Sequence, residues 1–486
     1  MVYISFYFYL FLAAVLAVYY LLPLKVRWFA LLAGSLAFYF QLSRDTWWIF
    51  GLMAVFSWGA ALFLEHLRER EGSEPGKSGR RLALELCIAV SAAPLVVTKN
   101  GNFVLISLLG RSGRDFLVPL GLSFYTMQIV AYLADTAAGK VKAQRNLAKY
   151  VLFLSFFPQI VQGPIPRYSQ QEGPLFEGHK FDGREFSKGL QLIVWGFFLK
   201  LMLADKAAVI VNAIFDNRET YQGAYVWVAG ALYSLQLYTD FLSCVCLAQG
   251  AAALFGIPLA DNFRRPYGSS SVKEFWGRWH ISLSSWLRDY IYIPLGGNRK
   301  GKFRRYVNLI ITFAVSGVWH GAGYKYLFWG LMHGSYQIAG ELTAGARDRI
   351  CRFLGLEHGR VARRLLAQAG TFFWVMLAWI IFRADSLRGG LAMIKSMFTV
   401  YNPWIFFDDS LLKLGLSWKE WNVLWLSMAV LWCVGQLQKR VCLRDEILGQ
   451  PRVIRWPLYI GAVLVIMVFG SYGYGFNASD FIYGGF

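Results

Sequence analysis

Long apolar segments recur along this chain from one end to the other. Stretches of the ~17–25 residues that a helix needs to cross a bilayer alternate with short basic or turn-forming connections. Of the 486 residues, 56% are hydrophobic and 16% are charged, whereas soluble domains average about 25% charged residues. Within a bilayer, a helix satisfies all of its backbone polar groups internally. The sequence therefore predicts an all-α, polytopic membrane bundle with about ten to twelve spanning or re-entrant helices.

The basic residues indicate which connections face the cytoplasm. The chain has a formal net charge of +20, and its Lys and Arg residues cluster in four connections, 68–81, 299–305, 347–364 and 439–455. By the positive-inside rule these connections are cytoplasmic, which predicts an extracytoplasmic tail over residues 471–486. Topology thus explains the charge, with attraction to anionic membrane lipids second, and no nucleic-acid partner is expected.

Polar and proline-containing positions set the predicted ends of the spans. Three prolines within nine residues, Pro158, Pro164 and Pro166, forbid a regular helix after the apolar segment 147–161. The polar residues 99–102 are expected to separate two spans. Other spans are expected at 82–97, 116–138, 190–204, 225–241 and 244–255. Because apolar segments recur from end to end, the length predicts one polytopic domain over the whole chain rather than several soluble domains. No internal repeat indicates the pseudo-symmetry of a transporter.

One tryptophan–histidine pair lies deep in an apolar segment. Trp319-His320-Gly321 follows the almost wholly apolar residues 306–318, and a helix rising ~1.5 Å per residue would lift His320 roughly 20 Å from the basic boundary before them. An ionisable group at such depth is by default a functional-site hypothesis. The alternative is a histidine that packs between helices and bonds a backbone carbonyl. With a pKa of about 6.5, an imidazole can take a proton from a hydroxyl near neutral pH.

A second pair, Arg278-Trp279-His280, stands 40 residues earlier in a basic block. Aromatic residues at helical spacing surround it, namely Phe275, Trp276, Trp279, Trp286 and Tyr290. They predict an interfacial amphipathic helix whose aromatic side chains lie among the lipid headgroups. That helix does not explain His280, which lies neither on a clean basic face nor in a surface loop. His333, which precedes a glycine, is a candidate to face the same cavity as His320.

The motifs of other catalytic classes are missing from the sequence. It contains no Gly-x-Ser-x-Gly elbow, no Walker loop, no His-Glu-x-x-His and no carboxylate-rich metal cage. The six cysteines show no metal-ligand spacing, so no metal is expected. Direct acyl transfer with histidine as general base is the reaction that we infer. A proton-coupled or polysaccharide transporter could also use a buried histidine and remains an alternative.

Taken together, the motifs resemble those of the membrane-bound O-acyltransferases, closest to the bacterial alginate O-acetyltransferase and teichoic-acid D-alanyltransferase branch. The similar segments are 119–126, 156–165, 261–267, 273–280, 286–299, 317–321, 329–334, 379–384 and 481–486. The resemblance implies a bundle with a funnel on each face meeting near His320. It also implies that a thioester donor enters from the cytoplasm, that His280 lines the donor side, and that the acceptor lies outside.

The same resemblance implies substrates and partners in a bacterial cell membrane. The donor would be acetyl-coenzyme A or a carrier protein's phosphopantetheine thioester, and no cofactor would stay bound. The acyl group would pass through an extracytoplasmic esterase-like partner of the SGNH type to hydroxyls of a cell-envelope polysaccharide. A lipid or protein acceptor within the membrane is the alternative. In the family a terminal tyrosine is thought to carry the acyl group, which here would be Tyr483.

The site residues expected from motif and resemblance fall into two groups. The catalytic candidates are His320, His280 and Tyr483, and the substrate-binding candidates are Trp319, Trp279, Arg278, Asn262, His333 and Asp240. Two positions depart from the family pattern. Gly484 replaces an aromatic residue of the terminal motif, and Cys246 replaces an acid that usually follows Asp240 by six residues.

Overall fold

Helices make up nearly all of the regular structure in this computed structural model. The structure describes residues 3–71, 78–109, 112, 116, 118–356 and 360–472. Twenty α-helices are present in these residues: α1 (Phe6–Leu21), α2 (Arg27–Leu42), α3 (Trp47–Glu71), α4 (Ser78–Phe103), α5 (Leu122–Ala137), α6 (Leu147–Ser155), α7 (Tyr168–Phe176), α8 (Gly183–Phe198), α9 (Asp205–Phe215), α10 (Ala224–Ala253), α11 (Val272–Arg278), α12 (Ile281–Leu287), α13 (Gly301–His320), α14 (Tyr324–Leu342), α15 (Ala344–Phe353), α16 (Arg360–Arg383), α17 (Leu387–Thr399), α18 (Trp418–Leu437), α19 (Leu443–Gly449) and α20 (Arg452–Phe469).

Five of these helices are long and apolar enough to cross a membrane by themselves. They are Trp47–Arg70, Gly79–Ile106, Ala224–Ala253, Val361–Arg383 and Arg452–Phe469. The shorter helix α1 is also apolar. The predicted class, an all-α polytopic membrane bundle, is therefore confirmed. Other predicted passes correspond to shorter or interrupted helices.

Two predicted interruptions are wrong. The segments 225–241 and 244–255 form the single helix α10, and α4 continues through residues 99–102 to Phe103. Polar side chains do not break these helices because they find partners without disturbing the backbone. In α10, for example, the Ser243 hydroxyl donates to the Gly196 carbonyl at 2.7 Å.

The proline-containing segment is irregular, as predicted. Helix α6 ends at Ser155, six residues before the predicted end at 161. Side chains satisfy backbone groups that a helix would otherwise have bonded. The Ser35 hydroxyl accepts from the Phe157 N–H at 3.1 Å, and the Tyr3 hydroxyl donates to the Pro158 carbonyl at 3.2 Å. Such bonds allow non-helical backbone to stay buried.

The contacts divide the chain into two compact units. One comprises the described parts of residues 1–193 and 244–260, and the other those of residues 194–243 and 261–477. Both tryptophan–histidine pairs belong to the second unit, as do Asp240, Asn262 and His333.

Candidate functional site

His320 is the last residue of α13, where close packing of two helices holds it. A Cβ atom added to Gly317 would overlap the Tyr326 carbonyl oxygen, and one added to Gly330 would overlap the Phe313 carbonyl oxygen. Helices α13 and α14 therefore touch backbone to backbone, which only glycine permits at these positions. This contact fixes the end of α13 and, with it, the position of His320.

The imidazole of His320 is enclosed by aromatic rings. It is 3% exposed, and its ring centre lies 4.8 Å from that of Trp319, 5.0 Å from that of Trp329 and 5.5 Å from that of Phe382. These surroundings are apolar and exclude water. Little of the imidazole surface is therefore open to solvent.

His280 lies at a sharp backbone break rather than on a helix face. Helix α11 ends at Arg278, α12 begins at Ile281, and His280 between them has φ 45° and ψ 55°. This left-handed conformation is unfavourable for a residue with a Cβ atom and occurs often at functional sites. The predicted amphipathic helix through this segment is therefore wrong.

The aromatic residues around the break are packed inside the protein, not spread along an interface. Phe275, Trp276, Trp279 and Trp286 are all buried. Trp279 stacks on Phe275, with ring centres 5.4 Å apart, and contacts Trp379 at 5.1 Å. A continuous helix would leave part of this set exposed, whereas the break turns both halves inward. Burial of large aromatic side chains thus offsets the strain at His280.

Asn262 holds His280 and the start of α12. Backbone pairing between Phe263 and Trp279 brings the two segments together. The Asn262 side-chain oxygen Oδ1 then accepts from the Ser282 N–H at 3.0 Å and the Ser282 hydroxyl at 2.7 Å. It also lies 3.4 Å from His280 Nδ1. Because Oδ1 can only accept, this contact places the proton on Nδ1 and leaves Nε2 as the basic nitrogen.

The two imidazoles meet at one indole ring. The Trp319 ring centre lies 6.3 Å from that of His280 and 4.8 Å from that of His320. His280 Nε2 is buried and has no hydrogen-bond partner within the described part of the chain. The structure thus brings together both histidines, Trp319 and Asn262, which the sequence had separated by up to 58 residues.

His333 lies one ring farther from this pair. Its ring centre is 4.9 Å from that of Trp329, which in turn contacts His320. The Trp276 indole N–H donates to His333 Nδ1 at 3.1 Å. Since Nδ1 accepts this bond, the lone pair of that nitrogen is already engaged.

The remaining predicted residues have other surroundings. Trp279 lies in the aromatic core, and Arg278 is half-buried and paired with Glu274 on the same helix. Asp240 is buried and accepts a hydrogen bond from Lys200 Nζ at 2.7 Å. Tyr483 lies outside the described residues.

Four residues of this region were not predicted from the sequence. Trp329 and Phe382 surround His320, Ser282 bonds Asn262, and Lys200 bonds Asp240. Lys200 carried a readable signal because it is an ionisable residue inside a predicted apolar span. Ser282 carried none, because its role depends on the break at His280.

Ionisable side chains buried inside a polytopic helical bundle mark a candidate functional site, and histidine is the side chain that most often transfers protons in enzymes. Residues 36–353 match the family model of the MBOAT, membrane-bound O-acyltransferase family. The chain belongs to this family, and it is an acyltransferase of the bacterial cell membrane with multiple membrane passes. This family membership supports an enzyme over the transporter alternative.

Several bacterial relatives are similar over most of the chain. A probable alginate O-acetylase of Pseudomonas putida is 34% identical over 410 residues, which cover 82% of this chain and 79% of that protein. A peptidoglycan O-acetyltransferase of Helicobacter pylori is 33% identical over 350 residues, or 65% of each chain. A teichoic acid D-alanyltransferase of Bacillus subtilis is 28% identical over 305 residues, covering 60% of this chain and 75% of that protein.

Proposed function

We propose that this chain is an O-acetyltransferase that moves an acetyl group from a cytoplasmic thioester toward hydroxyls of an extracytoplasmic polysaccharide. The observation that carries the proposal is the convergence of His280 and His320 on Trp319. The names of two relatives, an alginate O-acetylase and a peptidoglycan O-acetyltransferase, support acetyl as the group and a cell-envelope polysaccharide as the final acceptor.

In the proposed reaction His320 is the general base. A hydroxyl oxygen attacks the thioester carbonyl carbon, and an imidazole nitrogen of His320 takes the hydroxyl proton as the new C–O bond forms. The C–S bond then breaks, and the thiolate leaving group takes that proton. General-base catalysis of this kind contributes about 10²–10⁴-fold in rate. The attacking hydroxyl is proposed to be that of Tyr483.

His280 is proposed to position the thioester. The contact with Asn262 directs Nε2 away from the amide, so the lone pair of Nε2 could accept a hydrogen bond from the incoming group. Trp319 separates the two imidazoles and would define the width of the space for the reacting carbon. Trp279, Arg278, His333 and Asp240 are proposed to support the substrate through the packing and ion pairs described above.

The donor is proposed to approach from the cytoplasmic side. Basic residues precede α13 at its N-terminal end, opposite the end that carries His320. Positive charge there would attract the phosphates of acetyl-coenzyme A or of a carrier protein's phosphopantetheine. From Tyr483 the acetyl group would pass to an SGNH-type esterase-like partner and then to the polysaccharide. The funnels, the single domain over residues 1–486 and the outward tail over 471–486 are part of the same proposal.

Purified full-length protein in lipid nanodiscs tests this function. Radiolabelled acetyl-coenzyme A is added, and both coenzyme A release and label on the chain are measured. The unmodified protein is expected to release coenzyme A and to carry label. Tyr483→Phe should lose the label, and His320→Ala should lose both signals by a factor of about 10²–10⁴.

Matched variants keep the result interpretable. His66→Ala changes a histidine that is exposed near the end of α3 and should leave both signals unchanged. Equal label on Tyr483→Phe and on the unmodified chain would sink the tail intermediate. Normal coenzyme A release by a correctly folded His320→Ala variant would contradict the role of His320 as the general base. If the protein accepted acetyl from an acetylated carrier protein but not from acetyl-coenzyme A, the donor would be the carrier protein's phosphopantetheine thioester.

A further inference from the structure

One turn of the second unit is wider than an α-helical turn and is buried throughout. Residues Leu199–Ala204 join α8 to α9 in π-helical geometry, and all six side chains are buried. A π turn inserts an extra residue into the helical hydrogen-bond ladder, and such turns are frequent at functional sites. This turn contains a lysine, Lys200, although an ionisable side chain is unfavourable in such surroundings.

Lys200 fixes the turn to two helices. Its Nζ atom lies 2.8 Å from an oxygen of Asp205, the first residue of α9, and 2.7 Å from an oxygen of Asp240 in α10. Removing charges from water is costly unless good ion-pair geometry offsets the loss of hydration. The Lys200–Asp240 pair joins two charges that are both buried, so separating them would be costly and the pair favours one position of the turn.

The same turn holds the residue from which the C-terminal tail departs. The Leu201 carbonyl oxygen accepts a hydrogen bond from the Ser471 N–H at 3.0 Å. Ser471 lies two residues beyond the end of α20, and Ile466 is the only buried residue of that helix, all of which is described. The bond to Leu201 therefore links the start of the tail to the π turn.

The turn is also connected to the imidazole site. Asp240, which Lys200 bonds, precedes Phe241 in α10, and the Phe241 ring centre lies 4.7 Å from that of His280. One short segment therefore contacts both the start of the tail and the helix that packs on His280.

We propose that Lys200 is a positioning residue for acyl transfer, which holds the Leu201 carbonyl so that it anchors the tail at Ser471 in a fixed relation to His280. This inference rests on the proposed function, since it is the tail's Tyr483 that would be delivered. Tyr483 follows Ser471 by twelve positions, and a chain of that length reaches up to about 40 Å. Holding the start of the tail in one position limits where the tyrosine can reach and so raises its effective concentration at the site.

A proline at Ser471 removes the anchoring bond. Proline has no N–H to donate, and Gly470 has φ −64° and ψ 161°, which suits the residue before a proline. Ser471→Ala is the matched control because it keeps the N–H. With labelled acetyl-coenzyme A and full-length protein in nanodiscs, Ser471→Pro should lower the rate of chain labelling about five-fold, the factor expected for one net hydrogen bond. Ser471→Ala should label at the unmodified rate.

The lysine is tested by a second pair of variants. Lys200→Met should slow chain labelling by at least as much as Ser471→Pro, and Lys200→Arg should restore part of the rate. Lys206→Met is the control because Lys206 is also buried in this region but lies within α9 rather than in the π turn. The midpoint of thermal unfolding, measured for each variant, separates slow labelling from loss of fold.

Two results would overturn the inference. One is equal labelling of Ser471→Pro and Ser471→Ala. The other is an unmodified chain that releases coenzyme A but never carries label, since the tail would then deliver nothing. Failure of the proposed function is a different observation, namely normal coenzyme A release by His320→Ala.

Discussion

His320 and His280 reach the same tryptophan ring by different structural means. His320 ends a regular helix, and backbone contact between α13 and α14 at Gly317 and Gly330 sets its position. His280 lies in a left-handed break, where one amide oxygen holds both the imidazole and the next helix. Such a conformation stores about 1–3 kcal/mol of strain. The first imidazole is therefore fixed by rigid packing, and the second by a strained backbone that depends on Asn262.

The largest effect is expected where the rigid packing is disturbed. Gly317→Ala or Gly330→Ala would push a Cβ atom into a backbone carbonyl, which cannot rotate away as a side chain could. Overpacking of this kind destabilises by about 1–3 kcal/mol and separates the helices. We expect acetyl transfer to fall by at least two orders of magnitude, in line with loss of the general base. Coenzyme A release and the unfolding midpoint measure the two effects.

Gly340→Ala is the control for this substitution. Gly340 lies in the same helix as Gly330, but an added Cβ atom there meets nothing within 4 Å. Alanine favours a helix over glycine by about 1 kcal/mol, so this variant should be at least as stable and fully active. If Gly317→Ala and Gly340→Ala behaved alike, the helix contact would not be what positions His320.

A smaller, graded effect is expected around His280. Asn262→Ala removes the acceptor of three contacts and leaves the buried Ser282 N–H without a partner, which costs about 1–3 kcal/mol. Ser282→Ala removes only one donor, worth about 1 kcal/mol, and preserves the contact to His280. We therefore expect transfer to fall about ten-fold in the first variant and a few-fold in the second. A larger loss in Ser282→Ala would show that the hydroxyl, not the amide, is the important group.

The difference between the two histidines also explains what the sequence could reveal. His320 is buried at the end of one unbroken helix, so counting residues along the apolar segment was sufficient to single it out. The surroundings of His280 depend on a backbone break that helical periodicity does not encode, and the aromatic spacing suggested one continuous amphipathic helix instead. Similarly, α10 continues past Ser243, whose hydroxyl bonds the Gly196 carbonyl, a contact between residues 47 apart in sequence.

The membrane class, like His320, could be predicted because it depends on local features of the sequence. Apolar segment length and charge placement are local properties, and together they determine that the chain crosses a bilayer. The ion pair between Lys200 in the π turn and Asp240 in α10 and the bond from Ser471 to Leu201 are contacts between distant parts of the chain. They depend on tertiary packing, which overrides local preference and leaves no periodic signal.

Single-turnover transfer from labelled acetyl-coenzyme A, with donor affinity measured separately, tests the central claim that the two imidazoles have different roles. His320→Ala is predicted to slow the transfer step by about 10²–10⁴-fold while donor affinity stays unchanged, because it removes the base. His280→Ala is predicted to weaken donor binding and to slow transfer less. The account would be contradicted if His320→Ala transferred at the unmodified rate, or if His280→Ala slowed the transfer step more than His320→Ala.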